Sequence, residues 1–336
     1  MKIMSRFVPA ALAGLLVLTG CPEKKEATEA AATSESSLPK APAFNADSAY
    51  AFTARQVAFG PRVPNTKAHV QTGDWIIGQF KKYGLTVQEQ PFEAMAFDGN
   101  MLKSRNIIAR YMPEAPRRVA IFAHWDTRPF ADKDQQNKNA PLDGASDGAS
   151  GVAVALEMAR VLSAQAAGAA PGVGVDFILF DAEDYGYDGS TQGEKKNLLG
   201  QQDSWCLGSQ YWAKNPVPAN YKPNFGILLD MVGAKGARFS REALSREKAP
   251  DVLEKVWNTA SELGYSDYFL FAEGFAVDDD HVNTNKAGVR TIDIIDFLPT
   301  GEFQPYHHTT QDNMSIIDRR TLKAVGQTLL TVVYGE

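Results

Sequence analysis

The chain has 336 residues, a formal net charge of −6 and two cysteines, Cys21 and Cys206. Its charges are scattered without a basic stripe, which excludes the usual electrostatic footprint of a nucleic-acid partner. The length leaves room for one large α/β domain or two smaller ones.

The N-terminus addresses the compartment. Lys2 and Arg6 precede an apolar run from Phe7 to Leu18, closed by Leu18-Thr19-Gly20-Cys21. A dozen apolar residues fall short of the ~20 that a membrane-spanning helix needs, and the three-part layout is that of a secretory signal. Its ending resembles the bacterial lipobox. That resemblance implies that residues 1–20 are removed and that Cys21 is acylated as the new N-terminus. The protein is then expected in the bacterial cell envelope, periplasmic or in the outer membrane, held to a membrane by lipid alone. Loss of Lys2 and Arg6 takes the net charge to about −8. A lipidated Cys21 leaves Cys206 no partner for a disulfide, and Cys206 reads as a buried small hydrophobe rather than a nucleophile.

From Pro22 to about Phe44 the sequence is rich in Lys, Glu, Ala, Thr, Ser and Pro. Such a stretch buries too little apolar surface to offset its ordering entropy, so residues 21–44 read as a flexible tether. No internal repeat or second linker follows, and residues 45–336 are expected to form one catalytic domain. Helical patterns are expected over Ser48 to Ala58 and His69 to Tyr83, the latter stopped by Gly84. Leu85 to Phe92 and Asn106 to Tyr111 alternate like half-buried strands. Four continuous apolar runs follow, at Val119 to Ala123, Val175 to Phe180, Phe225 to Leu229 and Thr291 to Phe297. Helical patterns, notably Ala149 to Leu162 and Ala249 to Leu263, lie between them. Buried strands alternating with helices predict a layered α/β fold with a central, mostly parallel twisted sheet flanked by helices.

Three of the four core strands finish in acidic or histidine side chains: His124-Trp125-Asp126, Asp181-Ala182-Glu183-Asp184 and Asp230. Ligands of open α/β sheets sit beyond the carboxyl ends of the strands. A single such ending could be a helix cap; three together define a site. Asp147, in a glycine-rich turn before a helix, and His308 in Tyr306-His307-His308-Thr309 can join it. Imidazole and carboxylate are zinc ligands, and a catalytic zinc keeps one position open. Glu183 and Asp184 are adjacent, so on extended backbone they point to opposite sides, one free for metal and one for substrate.

From about Ser104 to Ile317 the ordered motifs "AHWDT", "LDGASDGASGVAVALEMAR", "FILFDAEDYG", "LGSQYWA", "LLDMVGA" and "YHHTTQDN" resemble the zinc-dependent aminopeptidase family that includes the glutaminyl-peptide cyclotransferases. The resemblance implies that Asp147, Asp184 and His308 are zinc ligands and that Glu183 is the general acid/base. The position of Asp184 is often Glu in the family, and the shorter arm here shifts the metal geometry. Two chemistries follow. An aminopeptidase holds two zincs, with Asp147 bridging and His124 and Asp230 completing the second site. A cyclase holds one zinc and uses the remaining acids in a hydrogen-bond network.

Val277-Asp278-Asp279-Asp280-His281 resembles the acidic segment of the cyclases, and Ser204 to Trp212 resembles bacterial glutaminyl cyclases. The implied activity is conversion of an N-terminal glutamine of a peptide or protein to pyroglutamate with release of ammonia. Asp230 and Asp279 are then catalytic carboxylates and His124 is structural. The alternatives are a two-zinc aminopeptidase and a non-catalytic peptide-binding lipoprotein. His307 competes with His308 as the ligand, Asp279 with a solvated acidic loop. Trp125, Trp205 and His307 are candidate walls of the substrate pocket, the two tryptophans otherwise core aromatics.

Overall fold

The computed structural model describes residues 38–189, 197–200 and 203–336. Cys21, with the signal and lipobox expected around it, lies outside the described residues. The elements run α1 (Ala46–Val57), α2 (Lys67–Lys82), β1 (Thr86–Met95), β2 (Met101–Tyr111), β3 (Arg118–His124), α3 (Ala149–Ser163), β4 (Gly174–Phe180) and α4 (Leu207–Lys214). There follow β5 (Phe225–Asp230), β6 (Phe239–Arg241), α5 (Ala243–Lys248), α6 (Pro250–Glu262), β7 (Phe269–Glu273), α7 (Asp280–Lys286), β8 (Thr291–Ile295) and α8 (Arg319–Tyr334). Six strands form one sheet in the order β1-β2-β4-β3-β5-β8. The β4-β3-β5-β8 part is parallel, and β2 joins β4 antiparallel with β1 antiparallel at the edge. The mostly parallel sheet is therefore a parallel core carrying an antiparallel hairpin.

Alternation along the strands explains why the core runs are continuously apolar. Val119, Ile121 and Ala123 of β3 enter one cluster with Val175, Phe177 and Leu179 of β4. Ala120 and Phe122 face the other way, with Ile178, Phe180 and Trp212. Both faces are covered, by α1, α3 and α8 on the first and by α4 on the second, so strand positions are apolar except where a buried partner meets a charge, as Arg118 meets Asp176. Edge strand β1 keeps the alternating pattern with one face exposed.

Caps set the helix starts. The side chains of Asn45, Thr66 and Asp318 accept from Ser48 N, His69 N and Arg320 N, satisfying amides that the helices leave open. The fold begins earlier than the expected boundary at residue 45. Phe44 is 2% exposed and its N–H donates to Gln327 Oε1 at 2.9 Å, because its ring fills the space left by the missing side chain of Gly326 in α8. No helix of the described residues is long and apolar enough to cross a membrane.

The polar strand ends converge. His124 closes β3, Asp181 follows β4, Asp230 closes β5, and Asp147 lies two residues before α3. Gly148 and Gly151 permit this. A Cβ on Gly148 would fall 2.5 Å from His124 Nε2, and one on Gly151 would fall 2.4 Å from Leu229 O. The start of α3 can therefore press against the ends of β3 and β5 and deliver Asp147 beside His124.

Candidate active site

A cavity of about 300 Å³ opens at the carboxyl ends of the strands, lined by Asp147, Glu183, Asp184, Asp230, Asp279 and His308 together with Lys133, Trp205, Phe303 and His307. Five segments bring the first six together, and buried groups hold the Asp147 and Glu183-Asp184 turns from behind. Asp312 accepts Ser146 N at 2.7 Å and Asp147 N at 3.1 Å. The fully buried Arg62 donates to the carbonyls of Trp125, Asp143 and Gly144. Asp126 accepts Glu183 N at 3.1 Å through one oxygen and Asp184 N at 3.2 Å through the other, so one carboxylate fixes both neighbours.

The two neighbours diverge from a turn in which Ala182 is left-handed, φ 53°. Asp184 Oδ1 lies 3.1 Å from His308 Nε2, and that nitrogen lies 4.0 Å from Asp147 Oδ2. Glu183 turns the other way, with Oε2 3.7 Å from His124 Nδ1 and Oε1 accepting from Cys206 Sγ at 3.4 Å. Cys206 is buried, as a small hydrophobe would be, yet it sits against this carboxylate. Burial pushes its thiol well above the ordinary range, with Glu183 adding, so it is no thiolate nucleophile.

His124 is buried and bridges acids: Nε2 stands 3.0 Å from Asp147 Oδ1 and 3.3 Å from Asp230 Oδ1. Burial disfavours its cation, but Asp126, Asp147 and Asp230 outweigh that and raise its pKa. Asp230 rises to about 7 through burial, with the His124 hydrogen bond opposing and Asp147 and Asp279 adding. Burial also pushes Glu183 well above the usual carboxylate range, His124 opposing and Asp184 and Asp279 adding. Asp279 is the N-cap of α7, accepting Asp280 N, and it groups with Glu183 and Cys206 within 4.8 Å. It is 5% exposed, so it is not part of a solvated acidic loop; only Asp278 of the three neighbours is exposed.

A cation fits beside Asp184. Neither oxygen of this buried carboxylate accepts a hydrogen bond, and Oδ1 faces His308 Nε2 at 3.1 Å and Arg128 Nη1 at 3.5 Å. An ionised carboxylate buried without donors is costly, and a divalent cation between Asp147, Asp184 and His308 answers the deficit. Ligand atoms around a tetrahedral zinc stand roughly 3.3 Å apart; the Asp184–His308 separation of 3.1 Å matches this, and the Asp147–His308 separation of 4.0 Å is longer. His124, Asp147 and Asp230 also lie close enough together to hold an ion, but there His124 Nε2 already stands between the two carboxylates, 3.0 Å from Asp147 Oδ1 and 3.3 Å from Asp230 Oδ1.

His308 adopts φ 56°, a left-handed conformation that turns its ring from the loop toward Asp184. His307 groups with Asp147 and His308 as a possible ligand, but its Nδ1 is 3.0 Å from Lys133 Nζ and its ring stacks on Phe303 at 3.9 Å. Its place is the pocket wall. Trp205 also lines the pocket, parallel to His308 at 5.9 Å. Trp125 does not. It is fully buried behind the site, stacked on His69 at 4.3 Å with its indole N–H on Arg105 O, because alternation after His124 turns it to the opposite face.

Several residues of the site carry no sequence signal. Arg62, Arg128 and Asp132 sit singly in loops, where no period marks them. Asp293 is different. A charge inside the apolar run of β8 was visible, and this residue is buried with His281 and Asp279 close by.

Residues 106–333 match the family described as Peptidase family M28. The structure is similar to Bacteroides thetaiotaomicron glutaminyl cyclase bound to N-acetylhistamine, at 48% identity over 88% of this chain and 100% of that one, TM-score 0.82. It is equally similar to a Zn-dependent exopeptidase from Parabacteroides distasonis, at 48% identity over 88% and 100%, TM-score 0.83. Among curated relatives, the aminopeptidase YwaD of Bacillus subtilis is 28% identical over 82% of this chain. The glutaminyl-peptide cyclotransferase of Bos taurus is 26% identical over 68%. The chain spans 54% and 65% of the lengths of these two relatives. With the matched segment covering the sheet from Asn106 in β2 through β8, and also the loops that carry the acids and His308, the chain belongs to peptidase family M28.

Proposed function

We propose that the chain is a glutaminyl-peptide cyclotransferase, converting an N-terminal glutamine of a peptide or protein to pyroglutamate with release of ammonia. The observation that carries this reading is the unequal state of the two candidate metal positions. Neither Asp184 oxygen accepts a hydrogen bond, though Arg128 Nη1 stands 3.5 Å away, and the group calls for a cation, whereas His124 already bridges Asp147 and Asp230. One zinc, held by Asp147, Asp184 and His308, satisfies this arrangement. The 48% identity to a bacterial glutaminyl cyclase along that protein's whole length supports the same choice. The rival reading, a two-zinc aminopeptidase using His124 and Asp230 as further ligands, is favoured by the equal similarity to a Zn-dependent exopeptidase.

Zinc in this place supplies Lewis acidity to the γ-amide carbonyl of the glutamine. The chain's own residues do the rest. Glu183 in its ionised form, made a stronger base by burial, takes a proton from the neutral α-amine as nitrogen attacks the amide carbon. The carbon–nitrogen bond to the amide nitrogen then breaks, and Glu183 returns the proton to departing ammonia. Asp230 and Asp279 flank Glu183 and hold the attacking amine. Trp205, His307 and Phe303 wall the pocket against water. The deciding experiment follows ammonia release from a glutamine-first peptide beside free amino acid release from other peptides. Ammonia alone supports the cyclase, free amino acid alone supports the aminopeptidase, and neither supports a binding protein.

The same reading places the enzyme in a bacterial cell envelope, tethered by acylated Cys21. Lys2, Arg6 and the Leu18-Thr19-Gly20-Cys21 ending support that.

A further inference from the structure

Two of the three residues proposed to hold zinc, Asp184 and His308, come from loops far apart in sequence, and a third loop lies between them. Arg128 is fully buried. Its Nε and Nη2 donate to the two oxygens of Asp132 at 3.0 and 2.5 Å. Its Nη1 donates to Asp184 O at 2.9 Å and Gly186 O at 3.3 Å, and stands 3.5 Å from Asp184 Oδ1. The guanidinium also lies over the Trp205 ring, 4.6 Å from its centroid, and that ring is parallel to the His308 imidazole.

Asp132 completes the link. Its Oδ1 is 3.8 Å from His308 Nδ1, the ring nitrogen turned away from Asp184. The next residue, Lys133, donates its backbone N–H to His308 O at 3.2 Å. Residues 128–133 thus hydrogen-bond the backbone of both ligands and place a carboxylate 3.8 Å from the far ring nitrogen of His308. A guanidinium presents five donors in a fixed plane, so contacts made along its edges and face set the relative placement of the groups around it.

We propose that Arg128 and Asp132 are positioning residues for the metal. Arg128 fixes the Asp184 backbone and the Trp205 ring, and Asp132, held bidentately by Arg128, keeps its carboxylate 3.8 Å from His308 Nδ1 and acts on the imidazole through its charge. A carboxylate behind a metal-binding histidine fixes its ring orientation and raises its basicity, and removing such a partner typically lowers metal affinity ~10–100-fold. The pair also suits the shorter arm of Asp184, since backbone carbonyl and carboxylate are restrained by the same cation.

This inference rests on the zinc reading of the site. The test titrates zinc into metal-stripped full-length protein against a chromophoric chelator, for wild type, Arg128→Met, Arg128→Lys and Asp132→Asn. The melting temperature of each metal-free protein is recorded alongside. Arg128→Met and Asp132→Asn are expected to weaken zinc by ~10–100-fold. Arg128→Lys is expected not to restore affinity, because an ammonium cannot grip Asp132 along two edges. A purely structural role predicts lower melting temperatures with unchanged zinc affinity in the folded protein, and that result overturns the proposal. If Arg128→Met fails to fold, Asp132→Asn decides, since it keeps the shape and one acceptor; affinity indistinguishable from wild type refutes the role. Wild-type protein that takes up no zinc overturns the metal reading itself, a distinct outcome.

Discussion

Replacing Glu183 by Gln separates chemistry from architecture because of how this side chain is held. Its backbone N–H is anchored by Asp126, so loop position does not depend on the carboxylate. The carboxylate itself receives the Cys206 thiol and faces His124 at 3.7 Å, contacts that an amide of the same shape tolerates. Burial disfavours its ionised form, so the folded protein loses stability as pH rises above the ordinary glutamate value toward the raised one. Glutamine never ionises and removes that cost. Metal-free Glu183→Gln is therefore expected to melt at or above the wild-type temperature near neutrality, with the advantage vanishing below about pH 4. Turnover moves the opposite way. A proton shuttle contributes ~10²–10⁴-fold, about 3–5 kcal/mol of transition-state stabilisation. Cyclisation of a glutamine-first peptide should fall by that factor while KM changes far less and zinc content is retained. Turnover close to wild type with full zinc would refute the assignment and pass the role to Asp230 or Asp279.

Purified protein is expected to carry one zinc per chain, and Asp184→Ala to lose the metal first and activity as a consequence; metal analysis of both checks this, and two tightly bound zincs needed for activity would favour the aminopeptidase. Glu242 caps α5, accepting Leu244 N and Ser245 N, and its pKa is lowered to about 2 because the hydrogen bond and charge of His281, then the donors of α5, outweigh burial. A depressed acid stabilises the fold above its unfolded pKa and loses that contribution as pH falls through the folded value. Roughly 3 kcal/mol should therefore disappear between about pH 4.5 and 2, and chemical unfolding of Glu242→Gln should show a flatter pH dependence in that window. Cys21→Ala should abolish incorporation of labelled palmitate; equal labelling would end the lipobox reading.

The parts legible in the sequence were those with short-range signatures. His124, Asp147, Glu183, Asp184, Asp230 and His308 each stand at the end of an apolar run or inside a glycine-rich or histidine-rich turn, and the parallel topology that gathers such ends is itself implied by continuous apolar strands. Strand order was not legible, since the β2–β4 pairing depends on contacts across some seventy residues. Arg62 and Arg128 were invisible for a related reason. A single arginine in a loop has no period, and only the fold shows that its donors reach three carbonyls or a carboxylate. Of the two readings the sequence leaves open for Trp125, pocket wall and core aromatic, the fold selects the second, since the side chain is fully buried and stacked on His69. Asp293 shows an unused signal: a carboxylate within an apolar strand has to be matched by another polar group, here His281, whose Nδ1 lies 3.8 Å away.

The most direct measurement offers the purified full-length protein two peptides differing only in the first residue, glutamine in one and leucine in the other, and follows both by mass spectrometry. A glutaminyl cyclase strips one ammonia from the glutamine peptide, abolishes its free amine and leaves the leucine peptide intact. Shortening of the leucine peptide by its first residue, with the glutamine peptide retaining its ammonia, would contradict the reading.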